Sequence, residues 1–78
     1  MTDLETMIDG CFGARDRPFA EHPSDLIDAF EMLIELRERR IVWFEFEPIL
    51  RRRLSHMPKL DIDQQVRRVR AFIEPWLY

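Results

Sequence analysis

The residues whose type and spacing could give this chain a chemical role are arginines, and they fall in three groups. The groups are Arg37, Arg39 and Arg40; Arg51, Arg52 and Arg53; and Arg67, Arg68 and Arg70. Guanidinium groups on successive helices can form a cationic surface that binds phosphates or an acidic protein. A basic contact surface is therefore one interpretation of the sequence.

A second interpretation assigns the same arginines to the stabilisation of helices. Glu35 with Arg39, Glu47 with Arg51, and Asp63 with Arg67 are acid-first pairs four residues apart. Each such pair stabilises its helix by about 0.2 to 0.5 kcal/mol. Arg40, Arg52, Arg53 and Arg68 are among the arginines that this pairing leaves without an acid at that spacing. We predict these four arginines as contact residues, and the solvated helix surface stays open as the alternative.

Aromatic side chains are the second unusual feature, at 12% of a very small chain. Trp43, Phe44 and Phe46 fall within four positions, and a helix spreads consecutive residues around its axis, so at least one should face outward. Tryptophan, tyrosine and arginine are the residue types most enriched at binding hot spots. With the arginines, the predicted partner-binding residues are Arg40, Trp43, Phe44, Arg52, Arg53, Arg68, Trp76 and Tyr78.

No set of residues predicts catalysis, a metal site or a cofactor. The two glycines lie close together near the end of the first predicted helix, so a glycine-rich phosphate loop is missing. Cys11, His22 and His56 do not have the spacing of zinc ligands. Ser55 and His56 are neighbours on a helix and point about 100° apart, so they cannot pair as nucleophile and base. The sequence predicts a non-enzymatic protein in which Cys11 is a buried thiol.

Composition predicts one ordered helical domain over residues 1–78. Hydrophobic residues make up 46% and charged residues 35% of the chain, a balance that argues against disorder. The single cysteine allows no internal disulfide, and the N-terminus is acidic where a secretory leader would be basic. No apolar run approaches the ~20 residues of a membrane span. We therefore expect a cytoplasmic protein that does not enter a membrane.

The net charge of −3 hides a division between the two halves of the chain. Residues 1–36 hold nine acids and two arginines, which gives −7, and residues 37–78 hold ten basic residues and six acids, which gives +4. The acidic half of one molecule could meet the basic half of another across a twofold axis. A homodimer is therefore one expectation.

The spacing of apolar residues predicts an all-α protein, a small four-helix bundle with helices at about 3–12, 25–42, 45–57 and 62–74. Predicted caps are Thr2 with Glu5 for the first helix, Ser24 or Asp25 for the second, and Asp61 with Gln64 for the last. The apolar band of the second helix is wider than an ordinary stripe of about 100°, so it needs cover on more than one side.

Prolines and one ambiguous segment set the remaining boundaries. Residues 42–47 alternate like a strand over Phe44 to Glu47 and also fit a helical face, so an irregular or strand-like conformation stays open. Pro48 suits the first turn of the third helix and Pro58 should end it. Pro75 should kink or fray the last helix.

The segment from Ser24 to Asp28 opens an acidic helix after a loop, and in this it resembles the helix of acyl carrier proteins that begins at the modified serine. The likeness would imply a carrier protein. The chain departs from that family's motif, with Pro23-Ser24-Asp25-Leu26 in place of Asp-Ser-Leu, and in its arginine-rich second half.

Two functions compete on these observations. The first is a regulator, adaptor or inhibitor that binds a larger protein or complex, as many small bacterial and phage proteins of this size do. The second is a helical module that binds nucleic acid through Arg52, Arg53, Arg67, Arg68 and Arg70, with affinity that falls steeply as salt is added. Overall acidity and the lack of a recognisable DNA-binding motif favour the protein partner.

Overall fold

Four α-helices make up most of the described chain. The computed structural model describes residues 3–13 and 18–77, and its helices are α1 (Leu4–Cys11), α2 (Pro23–Glu38), α3 (Trp43–Arg53) and α4 (Lys59–Leu77). No strand occurs within these two ranges. The prediction of an all-α four-helix bundle is confirmed, and residues 43–47, where a strand stayed open, are helical.

The first two helices begin with caps that differ from the predicted ones. Asp3 is the N-cap of α1, and its Oδ1 accepts a hydrogen bond from the Thr6 backbone N–H at 2.8 Å. Thr2, half of the predicted capping box, lies outside the described residues. Helix α2 begins at Pro23, two residues earlier than predicted, with His22 as its N-cap. Proline suits this first position because its fixed φ and missing N–H cost nothing there.

Helix α2 ends at Glu38, whereas the sequence predicted an end at 42. Arg40 adopts a left-handed backbone conformation with φ of 57°. The Ile41 backbone N–H then donates to the Leu36 carbonyl at 2.9 Å, and the Arg40 N–H donates to the Arg37 carbonyl at 3.2 Å. These two bonds form a Schellman cap, which closes the helix and releases the chain for α3.

The last two helices tolerate prolines that the sequence placed at their boundaries. Helix α3 runs from Trp43 to Arg53, so Pro48 lies inside it and the helix ends four residues before the predicted Met57. Helix α4 starts at Lys59 directly after Pro58, and it continues through Pro75 to Leu77. A proline inside a helix removes one backbone hydrogen bond, and tertiary packing can offset that loss.

The core lies where α1 packs on α2, α3 packs on α4, and the two pairs meet through α1 with α3 and α2 with α4. Each helix contributes at least one large side chain that is almost fully buried. These are Ile8, Cys11, Phe12, Met32, Leu36, Trp43, Phe46, Leu50, Leu54, Val69 and Ile73. The Cys11 thiol donates to the Met7 carbonyl at 3.2 Å, as expected of a buried thiol on this face.

Gly10 of α1 lies against the Asp28 side chain of α2. A Cβ atom at this position would lie 2.5 Å from Oδ2 and 3.3 Å from Cβ of Asp28. We expect Gly10→Val to lower the free energy of unfolding by about 1 kcal/mol, because the branched side chain would displace the Asp28 side chain and crowd its Cβ. Urea denaturation followed by circular dichroism measures the change. Thr6→Val, on an exposed position of the same helix, is the control, and equal stability of the two variants would contradict the close contact.

Candidate protein-binding surface

Trp43, one of the predicted partner-contact residues, lies in the core, where its side chain is not accessible to a partner. Its side chain is 1% exposed, and its indole N–H donates to Glu47 Oε1 at 2.7 Å. The Phe46 ring lies 5.9 Å from the indole, and the guanidinium of Arg70 sits 5.5 Å from the ring centroid. Trp43 is the first residue of α3, and its contact with Arg70 joins that end of the helix to α4.

Phe44 is 81% exposed, while Phe46 is fully buried. The prediction that at least one of the three clustered aromatic residues faces outward is therefore confirmed. Of the residues predicted around this cluster, Phe44 and Arg40 are accessible to a partner.

Arg52 and Arg53 bind acids of α1, and this changes their predicted role. Arg53 forms a two-nitrogen ion pair with Asp9 and also lies 3.6 Å from Glu5. Arg52 donates to Glu5 at 3.3 Å, although its side chain is 70% exposed. The hydrogen bond to Asp9 raises the pKa of Arg53 above its usual value. These arginines join α3 to α1, so their charges are already paired with acids of the same chain.

Arg51 connects α3 to α4 through a branched ion pair. Its Nε donates to Glu47 Oε2 at 3.0 Å, and its Nη1 donates to Asp63 Oδ1 at 2.8 Å. The bond from Arg51 lowers the pKa of Asp63 and is also the main cause of the lowered pKa of Glu47. Of the three predicted pairs, Glu47 with Arg51 and Glu35 with Arg39 are present, whereas Asp63 binds Arg51 in place of Arg67.

Helix α2 carries an apolar stripe that the other described helices cover only in part. Ile27, Phe30 and Ile34 recur every three or four residues and are 60%, 49% and 55% exposed. The Phe30 ring contacts Phe72 of α4 at 5.3 Å between centroids, and Trp76, one turn further along α4, is 58% exposed. We call Ile27, Phe30, Ile34 and Trp76 the α2–α4 surface. The wide apolar band of α2 predicted that the rest of the structure would cover more than one side of this helix. Packing covers it on one side only.

A groove of about 300 Å³ continues this surface at the C-terminal ends of α2 and α4. Its lining consists of Leu36, Arg37, Arg40, Ile41, Val42, Trp76 and Leu77. Sequence reasoning selected Arg40 and Trp76 but did not place them together, because they are 36 positions apart. Arg37 was not selected. Tyr78, the remaining predicted contact residue, lies outside the described residues.

Arg40 and Arg68, which were predicted contact residues, and Arg37, which was not, differ in their surroundings from the ion-paired arginines. All three are exposed, and no ion pair joins them to an acid in residues 3–13 or 18–77. Arg70, by contrast, pairs with Glu74 at 2.8 Å. The free guanidiniums of α2 therefore lie at the groove, while the arginines of α3 largely neutralise acids of the same chain.

Other kinds of site find no support in the described residues. Within residues 3–13 and 18–77, no group of three or more His, Cys, Asp or Glu side chains could hold a metal ion. Over the same stretch, no helix has the length and apolar character to cross a membrane. Ser24, on which the likeness to acyl carrier proteins rests, is exposed in the first turn of α2, and the carrier hypothesis stays a prediction.

Comparison with known proteins assigns no relative to this fold and surface. No family model matches the chain, no curated protein matches its sequence, and no solved structure matches its fold.

Proposed function

We propose that the chain is a small non-enzymatic regulator, adaptor or inhibitor that binds a larger protein through the α2–α4 surface. The observation that carries the proposal is the row of exposed apolar side chains at Ile27, Phe30 and Ile34, together with the exposed Trp76 of α4. Covering a large apolar side chain contributes about 1.5 to 3 kcal/mol, so a partner gains substantially by occupying this row. Exposed contiguous apolar surface of this kind marks interaction sites in soluble proteins.

The buried core does not include the residues of the α2–α4 surface, so the fold does not depend on their apolar character. Among residues 3–13 and 18–77, sixteen apolar residues from all four helices and the connecting segments are already buried. Ile27 and Ile34 lie outside that core, on the face of α2 opposite the buried Ala29 and Met32. A polar residue at either position would not disturb the fold, so their apolar character serves contact with another molecule.

Binding of nucleic acid is the weaker alternative on the same geometry. Of the five arginines that this hypothesis uses, Arg52 and Arg53 are paired with acids of α1, and Arg70 is paired with Glu74. A phosphate would have to displace those carboxylates, and the net charge of −3 would oppose the approach of a polyanion. A salt-sensitive gel shift that is lost in Arg67→Ala and Arg68→Ala variants would favour this alternative.

We expect the double variant Ile27→Asp, Ile34→Asp to lose the partner and keep the fold, because both side chains are exposed and a carboxylate cannot enter an apolar interface without a large desolvation cost. The matched control is Phe44→Asp, Leu60→Asp, which adds the same charge at positions that are 81% and 83% exposed on α3 and α4. Tagged versions of all three chains are used to capture proteins from extracts of the cells that make the chain, and mass spectrometry identifies them.

The proposal requires proteins that the wild-type chain and the control recover and the α2 variant does not. Identical recoveries by all three chains would contradict it, and loss with the control alone would move the contact to Phe44. Light scattering of the purified wild-type chain decides whether a second copy is the partner. A dimer that the α2 variant converts to a monomer would identify the surface as a homodimer interface.

A further inference from the structure

The groove at the ends of α2 and α4 combines two kinds of recognition group. Trp76, Ile41, Val42 and Leu77 supply apolar walls, and Arg37 and Arg40 supply two guanidiniums. Neither arginine has an ion pair with an acid in the described part of the chain. The Glu38 carboxylate lines a neighbouring depression with Ile34 and Arg37 and does not line the groove.

The backbone at Arg40 adds an independent observation. Its φ of 57° lies in the left-handed region, which glycine adopts freely and which a residue with a Cβ enters at a cost. Arginine at this C-cap position therefore lowers the stability of the chain relative to glycine. A strained residue of this kind, exposed and on the wall of a groove, is typical of a position kept for binding.

We propose that this groove binds a segment of the partner protein in which an aspartate or glutamate stands next to a large apolar side chain. This inference rests on the proposed function and specifies the chemistry of the partner. The carboxylate accepts hydrogen bonds from Arg37 and Arg40, and the apolar side chain packs against Trp76 and Ile41. Arginine forms stronger bonds with a carboxylate than neutral donors do, and its planar group can donate two of them in parallel.

The observations favour an acidic peptide over a phosphate. Five of the seven lining residues are apolar, and a phosphate group alone would leave them in contact with water. A second copy that met this surface across a twofold axis, with its α2 antiparallel, would place the start of its own α2 beside these arginines, and light scattering of the wild-type chain identifies such a dimer. An acidic segment with an apolar neighbour satisfies both the guanidiniums and the walls.

The test begins with a phage-displayed library of random peptides selected on the wild-type chain. We expect the enriched peptides to carry Asp or Glu next to Leu, Phe or Trp. Fluorescence polarisation with labelled synthetic peptides then measures affinity. Exchanging the acid for its amide, Asp for Asn or Glu for Gln, should weaken binding about tenfold or more, because it removes the charge-assisted bonds.

Arg40→Gly separates loss of binding from loss of folding. The variant should raise the melting temperature by roughly 4 °C, because glycine relieves the left-handed strain, and should weaken peptide binding about tenfold. Ala20→Gly is the matched control, since Ala20 also has a positive φ, of 53°, and does not line the groove. It should stabilise the chain and leave peptide affinity unchanged.

Three results would overturn the groove proposal. The first is a library that yields no binder, and the second is a set of binders without enrichment of acidic residues. The third is an Arg40→Gly variant that binds the selected peptides as well as the wild-type chain does. Peptides that bind without an acid and are lost only in the Ile27→Asp, Ile34→Asp variant would sink the groove proposal and leave the proposed function standing. Identical protein capture by all variants would instead remove the proposed function itself.

Discussion

Trp43→Ala is expected to lower the free energy of unfolding by about 3 to 5 kcal/mol, the range for the removal of a buried aromatic side chain. The indole is 1% exposed and packs on Phe46, so its removal leaves a cavity between α3 and α4. The change also removes the N–H that donates to Glu47 and the ring that faces Arg70. A chain of this size has little stability to spare, so the variant should be partly unfolded at room temperature.

Trp76→Ala is the matched control for this prediction. Trp76 is 58% exposed at the end of α4, so its loss should change stability by about 0.5 kcal/mol or less. Urea denaturation followed by circular dichroism compares the three chains. Tryptophan fluorescence adds a second measurement, because the emission of Trp43 should be that of an apolar environment until the chain unfolds. Equal stability of the two variants would contradict the burial of Trp43.

Alkaline pH is expected to destabilise the chain through Cys11. Burial, with smaller contributions from the charges of Asp28 and Asp25, raises the pKa of this thiol from 9.0 to about 12. A group whose pKa is raised on folding contributes its full stability below its unfolded pKa and loses that contribution as the pH rises through the folded value. The loss therefore begins near pH 9 and could reach about 4 kcal/mol by pH 12, because each pKa unit corresponds to about 1.36 kcal/mol.

Cys11→Ala isolates this contribution, because ionisation of every other group occurs in both proteins. Urea denaturation at several pH values between 8 and 11 should give a steeper decline for the wild-type chain than for the variant. The native thiol should also resist alkylation by iodoacetamide at pH 8, since a protonated and buried sulfur is a poor nucleophile. Parallel declines, or rapid alkylation of the folded chain, would show that the thiol ionises freely.

Much of the fold could be predicted because local patterns determine it. Leu4, Ile8 and Cys11 recur at helical spacing and do form the buried face of α1. Helix ends were harder to place, since they depend on single backbone conformations. Arg40 closes α2 in a left-handed conformation that favours glycine, and nothing in the sequence marks an arginine for that role.

Less of the candidate site could be predicted, because it depends on which distant residues pack together. Trp43 and Trp76 are the same residue type, yet Trp43 fills the core and Trp76 lines the groove. Arg53 has no acid four residues before it, but folding brings Asp9 to it from 44 positions away. The wide apolar band of α2 was visible in the sequence and indicated that this helix needs cover on more than one side. It did not show which side the rest of the fold would leave exposed.

The bond between the Phe19 backbone N–H and the Gln65 side-chain oxygen, at 3.0 Å, ties the segment before α2 to α4. The Phe19 ring also contacts Phe72, at 5.4 Å between centroids. During synthesis, α1, α2 and the segment between them are made before either of these α4 residues. Residues 18–22 therefore gain the hydrogen bond to Gln65 and the contact with Phe72 only after α4 has been made. Until then, no contact with α4 holds the segment between the first two helices in place.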